Sequence, residues 1–326
     1  MTKVCFVIPC YFEEEMLPYT IEKMQEKYHD LLQKALLTQE SRILFVDDGS
    51  GDKTWEILSE ASSRIPFVMA IRLSRNCGHQ NALLAGMTEA YELGFDAVIT
   101  MDADLQDDIR AIDEFLVKFQ EGYQVVYGVR SSREHDSFFK RETALAFYRL
   151  MKSLGVPLVY NHADYRLLGR HALEALLSFP ERNLFLRGLV PLVGFPSTEV
   201  YYVRQQRIAG KTKYPLRKMI GFALNAITSF SIQPIRWISA MGLFVSGISV
   251  VILFYSLVQK LRGHTVAGWT SVMFSLWFLG GMILLALGII GEYIGRIYVE
   301  TKQRPRFFIQ ERRGIPSGEK HETTHR

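Results

Sequence analysis

The stretch VITMDADLQDD, residues 98–108, decides the fold. It opens as an apolar run suited to a strand buried on both faces, then sets Asp102 and Asp104 two apart, with Asp107 and Asp108 close behind. Carboxylates held this close repel one another strongly at low effective dielectric, so such a tip calls for a cation or a donor-rich ligand. A hard divalent metal bridging carboxylate and diphosphate oxygens meets that need.

On either side, short apolar runs at 4–9, 43–47, 68–73, 97–101 and 125–128 alternate with helical patterns near 14–37, 52–63, 79–93 and 109–121. This alternation predicts an α/β fold: a mostly parallel sheet, helices on both faces, and a ligand crevice beyond the carboxyl ends of the strands. Polar motifs stand at those ends: PCYFEEE, VDDGSGDKT, LSRNCGHQNALLAG and MDADLQDD. Each has a plainer reading alone. Ser50 or Asp52 suits a turn that caps the next helix, and so does Asp104 or Asp107. Three acidic tips converging on one crevice favour a ligand instead. No G-x-G-x-x-G follows the first run, which argues against a dinucleotide.

The 326 residues are 48% hydrophobic and 22% charged, but unevenly so. Residues 237–258 and 266–290 carry no charge and are long enough to span a membrane as helices. MTKVCFVIPC runs into acidic EEE without a cleavage site, so no signal peptide is expected. Lys211, Lys213, Arg217, Lys218 and Arg236 precede the first apolar run, and Arg296, Lys302, Arg304, Arg306, Arg312 and Arg313 follow the second. Only Lys260 and Arg262 lie between, which places both termini and the α/β domain on the cytoplasmic side of the cell membrane. The net charge of +4 comes mostly from these clusters and points to lipid headgroups, not nucleic acid. Cys5, Cys10 and Cys77 lack metal-ligand spacing and suit reduced thiols.

Between the basic loop and the first apolar run, Leu216, Met219, Ile220, Ala223, Leu224, Ile227 and Phe230 recur at helical spacing. Such a helix lies at the membrane interface or packs on the α/β domain. The expected organisation is a cytosolic α/β domain over 1–213, an amphipathic helix over 214–236, a two-helix transmembrane hairpin over 237–292 and a basic cytosolic tail over 293–326. Gly291-x-x-x-Gly295 permits close helix contact.

In this order, VIPCYFEEE, VDDGSGDKTWEIL, LSRNCGHQNALLAGM, MDADLQDD, VVYGVRSSR, HADYRLLGRHALEAL, FLRGLVPLVGF and RIAGKTKYPLRKM resemble the polyprenyl-phosphate glycosyltransferases of glycosyltransferase family 2. The closest type is the bactoprenol glucosyltransferase, with dolichyl-phosphate mannose synthases more distant. The resemblance implies a GT-A (Rossmann-like) fold, a nucleotide-sugar donor, Mg²⁺ or Mn²⁺, and a polyprenyl-phosphate (undecaprenyl phosphate) acceptor. It also implies assembly as a homo-oligomer, and at family level it favours UDP-glucose. By the same resemblance Pro9, Tyr11, Glu13, Asp47, Asp48, Asn76, Gly78, Asp102, Ala103, Gln106 and Arg130 bind the nucleotide-sugar. Asp102 and Asp104 hold the metal, with Asp104 the more direct ligand. Asp164 aligns with the acidic residue proposed as a base, with a salt bridge to Arg166 or a neighbour as its plainer reading. Arg207, Lys211 and Lys213 align with a basic loop near the phosphates, or serve only as an inside anchor. One departure stands out. Phe12 occupies the place of the family's asparagine, and its side chain is expected to face the core.

The chemistry is consistent with these assignments. Expelling a nucleoside diphosphate from a sugar carbon requires stabilising the departing charge. A lipid monophosphate, with a second pKa of about 6, is already ionised as the nucleophile. A single displacement inverts the anomeric centre. Two rivals remain at this point. QPIRW, residues 233–237, fits the Q-x-x-R-W pattern of processive polysaccharide synthases, although two spans give little wall for a polymer channel. The other is an inactive membrane-anchored nucleotide-binding protein, which the intact D-x-D and Asp164 oppose.

Overall fold

The computed structural model describes residues 1–131, 162–182, 184–204, 233–262 and 268–315. They fall into two compact units. One comprises the described residues up to 204 and from 304 onward, the other those between 233 and 303.

In the first unit, β1 (Val4–Cys10), β2 (Arg42–Asp47), β3 (Val68–Leu73) and β4 (Ala97–Thr100) pair in parallel in the order β3-β2-β1-β4. The crossovers are α1 (Leu17–Gln33), α2 (Thr54–Arg64) and α3 (His79–Glu92). Every residue of β1 and β4 is buried, as their continuous apolar sequences demand when helices cover both faces. Gly86 lets α3 lie directly on the sheet. A Cβ there would fall 2.4 Å from Val7 Cγ1 and 2.9 Å from Val46 Cγ2.

After α4 (Ala111–Gln120) comes β5 (Val125–Arg130), and β6 (His162–Gly169) then inserts between β4 and β5, antiparallel to both. α5 (Arg170–Leu177) and α6 (Leu186–Leu192) lead to β7 (Ser197–Tyr202), which pairs in parallel with β5. The full order is β7-β5-β6-β4-β1-β2-β3-β8, with β8 (Ile309–Arg313) antiparallel to β3. All five expected strands are present and the sheet is mostly parallel. The expectations omitted β6, β7 and β8.

The strand order reverses between β1 and β4, so the crevice opens outside their carboxyl ends. Pro9 marks its mouth. The last β1–β4 pair is Val7 with Thr100, so a residue lacking an N–H sits beyond the reach of that ladder.

In the second unit, α7 (Gln233–Leu261) and α8 (Trp269–Thr301) pack on one another while Leu243, Phe244, Val251, Phe254, Leu284 and Leu285 stay exposed. Among the described residues one stretch, Phe278–Thr301, is long and apolar enough to cross a membrane, with mean hydropathy 1.8. It overlaps the span expected over 266–290, and the helix that carries it continues to Thr301. The span expected over 237–258 has a helix, α7, at its place. Residues 214–232 of the expected amphipathic helix lie outside the described residues, and 233–236 begin α7.

The region expected as a basic tail returns to the first unit. β8 closes the β3 edge, and Arg312 grips the buried Glu89 of α3, with Nε 2.9 Å from Oε1 and Nη2 3.1 Å from Oε2.

Candidate active site

The β4–β6 register builds the centre of the site. Thr100 pairs with Arg166 as the last step of an antiparallel ladder, and Asp102 and Asp164 each stand two residues beyond that pair at the same end. The Thr100 hydroxyl donates to the Asp164 carbonyl at 2.6 Å. His79, the first residue of α3, reaches between the two carboxylates: its Nε2 lies 3.5 Å from Asp102 Oδ1 and 3.7 Å from Asp164 Oδ2. From α6, Arg187 takes Asp164 side-on, with Nε 3.3 Å from Oδ1 and Nη2 3.0 Å from Oδ2. The fully buried Arg166 donates to the same Oδ1.

This geometry sets the charges. Burial pushes the Asp164 carboxyl up, but Arg187, His79 and Arg166 outweigh it and hold the group well below the usual carboxylate range. Asp102 is pushed up to about 6 by desolvation, which His79 opposes and Asp107, Asp164 and Asp104 reinforce. Desolvation works against the charged form of His79, yet Asp164 and Asp102 raise it to about 8. An imidazolium between two carboxylates thus carries part of the countercharge.

Beyond the D-x-D, Asp104 Oδ1 accepts the Gln106 N–H at 3.2 Å, and Ala103 is buried with its carbonyl held by Thr20 at 2.7 Å. Asp107 is an anchor, not a helix cap. Its Oδ1 accepts the Tyr202 hydroxyl at 2.6 Å and Arg130 Nη2 at 3.3 Å. Arg204 donates to Gln106 Oε1. The ends of β5 and β7 therefore bring Arg130 and Arg204 to the rim beside the carboxylates.

The tips of β1, β2 and β3 form the other half. Gly49, at φ +69°, lets the β3–α3 loop press on β2, since a Cβ would fall 2.6 Å from the Arg75 carbonyl carbon. Asp48 then accepts the N–H groups of Cys77 at 2.7 Å and Gly78 at 2.9 Å. It is 2% exposed and holds the loop carrying Asn76 and Gly78. Asp47 is likewise buried. One oxygen accepts the Ser50 N–H at 3.0 Å, and the other lies 3.2 Å from Arg72 Nε, an ion pair without hydrogen-bond alignment. Desolvation raises its pKa against the pull of Ser50 and Arg72. Pro9 is buried in β1, while Tyr11 and Asn76 are exposed at the rim and Glu13 is half-buried there. Phe12 corrects its expectation: it is 46% exposed and points away from the core. Arg207, Lys211 and Lys213 lie outside the described residues.

The model of the family described as Glycosyl transferase family 2 matches residues 5–177, which contain the D-x-D, Asp164 and the strands that carry them. The chain belongs to glycosyltransferase family 2. This family 2 enzyme is 52% identical over 303 residues to the uncharacterized glycosyltransferase YkoT of Bacillus subtilis, covering 93% of this chain and 90% of that one. It is 39% identical over 320 residues to the bactoprenol glucosyl transferase of Shigella phage SfII, covering 96% of this chain and all of that one. Among solved structures, mannosyl-3-phosphoglycerate synthase from Rubrobacter xylanophilus aligns at 19% identity with a TM-score of 0.46, over 70% of this chain and 73% of its own. The protein is a glycosyltransferase with the GT-A arrangement of a Rossmann-like, mostly parallel sheet.

Among the described residues of the family 2 enzyme, no three His, Cys, Asp or Glu side chains converge on a metal-sized position. Sequence reasoning passed over His79, Arg187 and Arg204. The first two were signalled by a histidine opening a helix and a lone cation within FLRGLVPLVGF, but their convergence on Asp164 depends on β6, which the strand pattern did not reveal.

Proposed function

We propose that this enzyme transfers a sugar, glucose from UDP-glucose, to undecaprenyl phosphate with inversion at the anomeric carbon, giving a lipid-linked monosaccharide for modifying envelope glycans. The observation that carries this reading is the match to bactoprenol glucosyl transferases at 38–39% identity across nearly the whole of both chains. In the reaction, a lipid phosphate oxygen bonds to the sugar C1 as the bond from C1 to the departing diphosphate breaks. The acceptor is already ionised at neutral pH, so no strong base is required. That suits Asp164, whose low pKa and three cationic neighbours make it a poor proton acceptor and a firm positioning group.

Asp102 and Asp104 fit a hard divalent cation, since Mg²⁺ commonly takes one or two carboxylates and completes its shell with substrate phosphates and water. Burial first, and then the neighbouring carboxylates of Asp107, Asp164 and Asp104, disfavour the charged form of Asp102, and a bound cation would offset both. When bound, Mg²⁺ or Mn²⁺ supplies charge to the departing diphosphate. Arg130 and Arg204 stand where they add to that charge, and we assign Arg207, Lys211 and Lys213 to the phosphates as well.

We place the enzyme in the cell membrane through α7 and α8, as a homo-oligomer, with residues 1–213 catalytic and cytoplasmic. The exposed apolar side chains of both helices support insertion. The pairing of β8 with β3 supports an even number of crossings, because the chain rejoins the sheet it left. The test is to supply washed membranes with UDP-glucose and undecaprenyl phosphate. A lipid-linked monosaccharide supports the reading, a polymer indicates a processive synthase, and no product contradicts transfer.

A further inference from the structure

We infer that Phe12 is a base-stacking residue, forming with Tyr11 an aromatic corner that holds the nucleobase of the donor; this rests on the nucleotide-sugar reading above. The backbone explains how the ring is presented. Three successive N–H groups of the β1–α1 loop donate to side chains of the β2–α2 loop and the first residue of α2: Phe12 to Ser50 Oγ at 3.1 Å, Glu13 to Thr54 Oγ1 at 3.0 Å, and Glu14 to Asp52 Oδ2 at 3.4 Å. These bonds fix a left-handed turn at Phe12, with φ +55°, and the turn throws the side chain outward.

A phenylalanine is a poor choice for that backbone. Glycine and asparagine adopt the left-handed region most readily, and a bulky residue is strained there. Its ring is also 46% exposed, beside a Tyr11 that is 43% exposed, so the position gains little from burial. Yet the ring has a defined seat. It stands edge-on to Tyr11, with centroids 4.7 Å apart at 84°, and it lies over Gly51, where an added Cβ would come within 3.7 Å of Phe12 Cζ. Strain, exposure and fixed orientation together fit a face kept for a flat ligand.

Position identifies the ligand. The diphosphate end belongs at the β4 tip with Asp102 and Asp104, and β1 and β2 are the next two strands on one side. Two strand spacings are roughly 10 Å, a span that a nucleoside diphosphate bridges between its terminal phosphate and its base. The corner at the β1 and β2 tips is therefore where the base arrives. Stacking reads a π-face, which every base has, so Phe12 contributes affinity while polar groups choose the base.

The test titrates the purified full-length protein and its Phe12→Asn, Phe12→Gly and Phe12→Trp variants with UDP, GDP and Mg²⁺-pyrophosphate. The asparagine and glycine variants suit the backbone better, so their thermal midpoints should hold or rise. For the better-bound nucleotide, both should lose roughly fivefold to a hundredfold in affinity, the range of base–aromatic stacking. Phe12→Trp should keep that affinity, and pyrophosphate should bind all four proteins alike. Unchanged nucleotide affinity in Phe12→Asn or Phe12→Gly overturns the stacking role and leaves the donor reading standing. Equal losses for pyrophosphate and nucleotide also overturn it, since they indicate a distorted loop. Failure of the wild type to bind either nucleotide overturns both readings.

Discussion

Arg187 and Asp164 meet as a side-on pair, Nε to Oδ1 at 3.3 Å and Nη2 to Oδ2 at 3.0 Å, in a crevice where Arg166 and His79 also face the carboxylate. A carboxylate bound in this way is a fixed charge, and its usefulness lies in where it stands. Removing Arg187 takes away a charge-assisted contact worth about 1.5–3 kcal/mol. Arg187→Ala is therefore expected to slow transfer roughly tenfold to a hundredfold, with Arg187→Lys recovering part of the loss. Steady-state rates with equal membrane content check this, and wild-type turnover in Arg187→Ala would rule out the positioning role.

Arg166 should matter more to folding than to chemistry. It is 2% exposed and pairs with a nearly buried partner, so Arg166→Ala leaves Asp164 short of a buried countercharge. The expected destabilisation is about 3–5 kcal/mol. Chemical denaturation followed by the fluorescence of Trp55 measures it, and a change below about 1 kcal/mol would show that Arg187 and His79 suffice.

The D-x-D makes a separate prediction. Asp104→Asn and Asp102→Asn should each abolish transfer while leaving insertion and folding intact, and EDTA should reproduce the loss until Mg²⁺ or Mn²⁺ is restored. Full activity of the wild type in EDTA would remove the metal from the account.

The returning strand predicts both topology and stability. Cysteine labelling should find residues 1–236 and 302–315 on the inner side, and only residues 259–268 outside. An externally labelled residue in 309–313 would contradict the pairing of β8 with β3. Arg312→Ala leaves Glu89 buried without its bidentate partner. Because Arg312 itself is half exposed, the expected loss is about 1–3 kcal/mol. Thermal unfolding of the catalytic unit reads that loss.

The strands that sequence reasoning found are those whose two faces are both covered, because only they read as unbroken apolar runs. β1 and β4 are of this kind, and the D-x-D follows the end of β4, beside the point where the strand order reverses. β8 was hidden because IQERR is an edge strand whose charges face solvent and Glu89, which in sequence resembles a basic tail. β7 alternates exposed and buried residues and follows a loop-rich stretch, and β6 enters antiparallel from a distant segment. Within the site, Asp102, Asp104 and Asp164 were legible as acids. The role of Asp48 was not, because its hydrogen-bond partners lie 29 and 30 residues along the chain. Phe12 was misread for a related reason: its outward turn is imposed by Ser50, Thr54 and Asp52, three side chains of the β2–α2 loop and the first residue of α2.

The most direct test of the central claim is product analysis with washed membranes given UDP-[¹⁴C]glucose and undecaprenyl phosphate. The account predicts one glucose per lipid phosphate, joined in the anomeric configuration opposite to the donor, and no product from Asp104→Asn membranes. Label in a polymer, a product retaining the donor's configuration, or an equal yield from the Asp104→Asn membranes would contradict it.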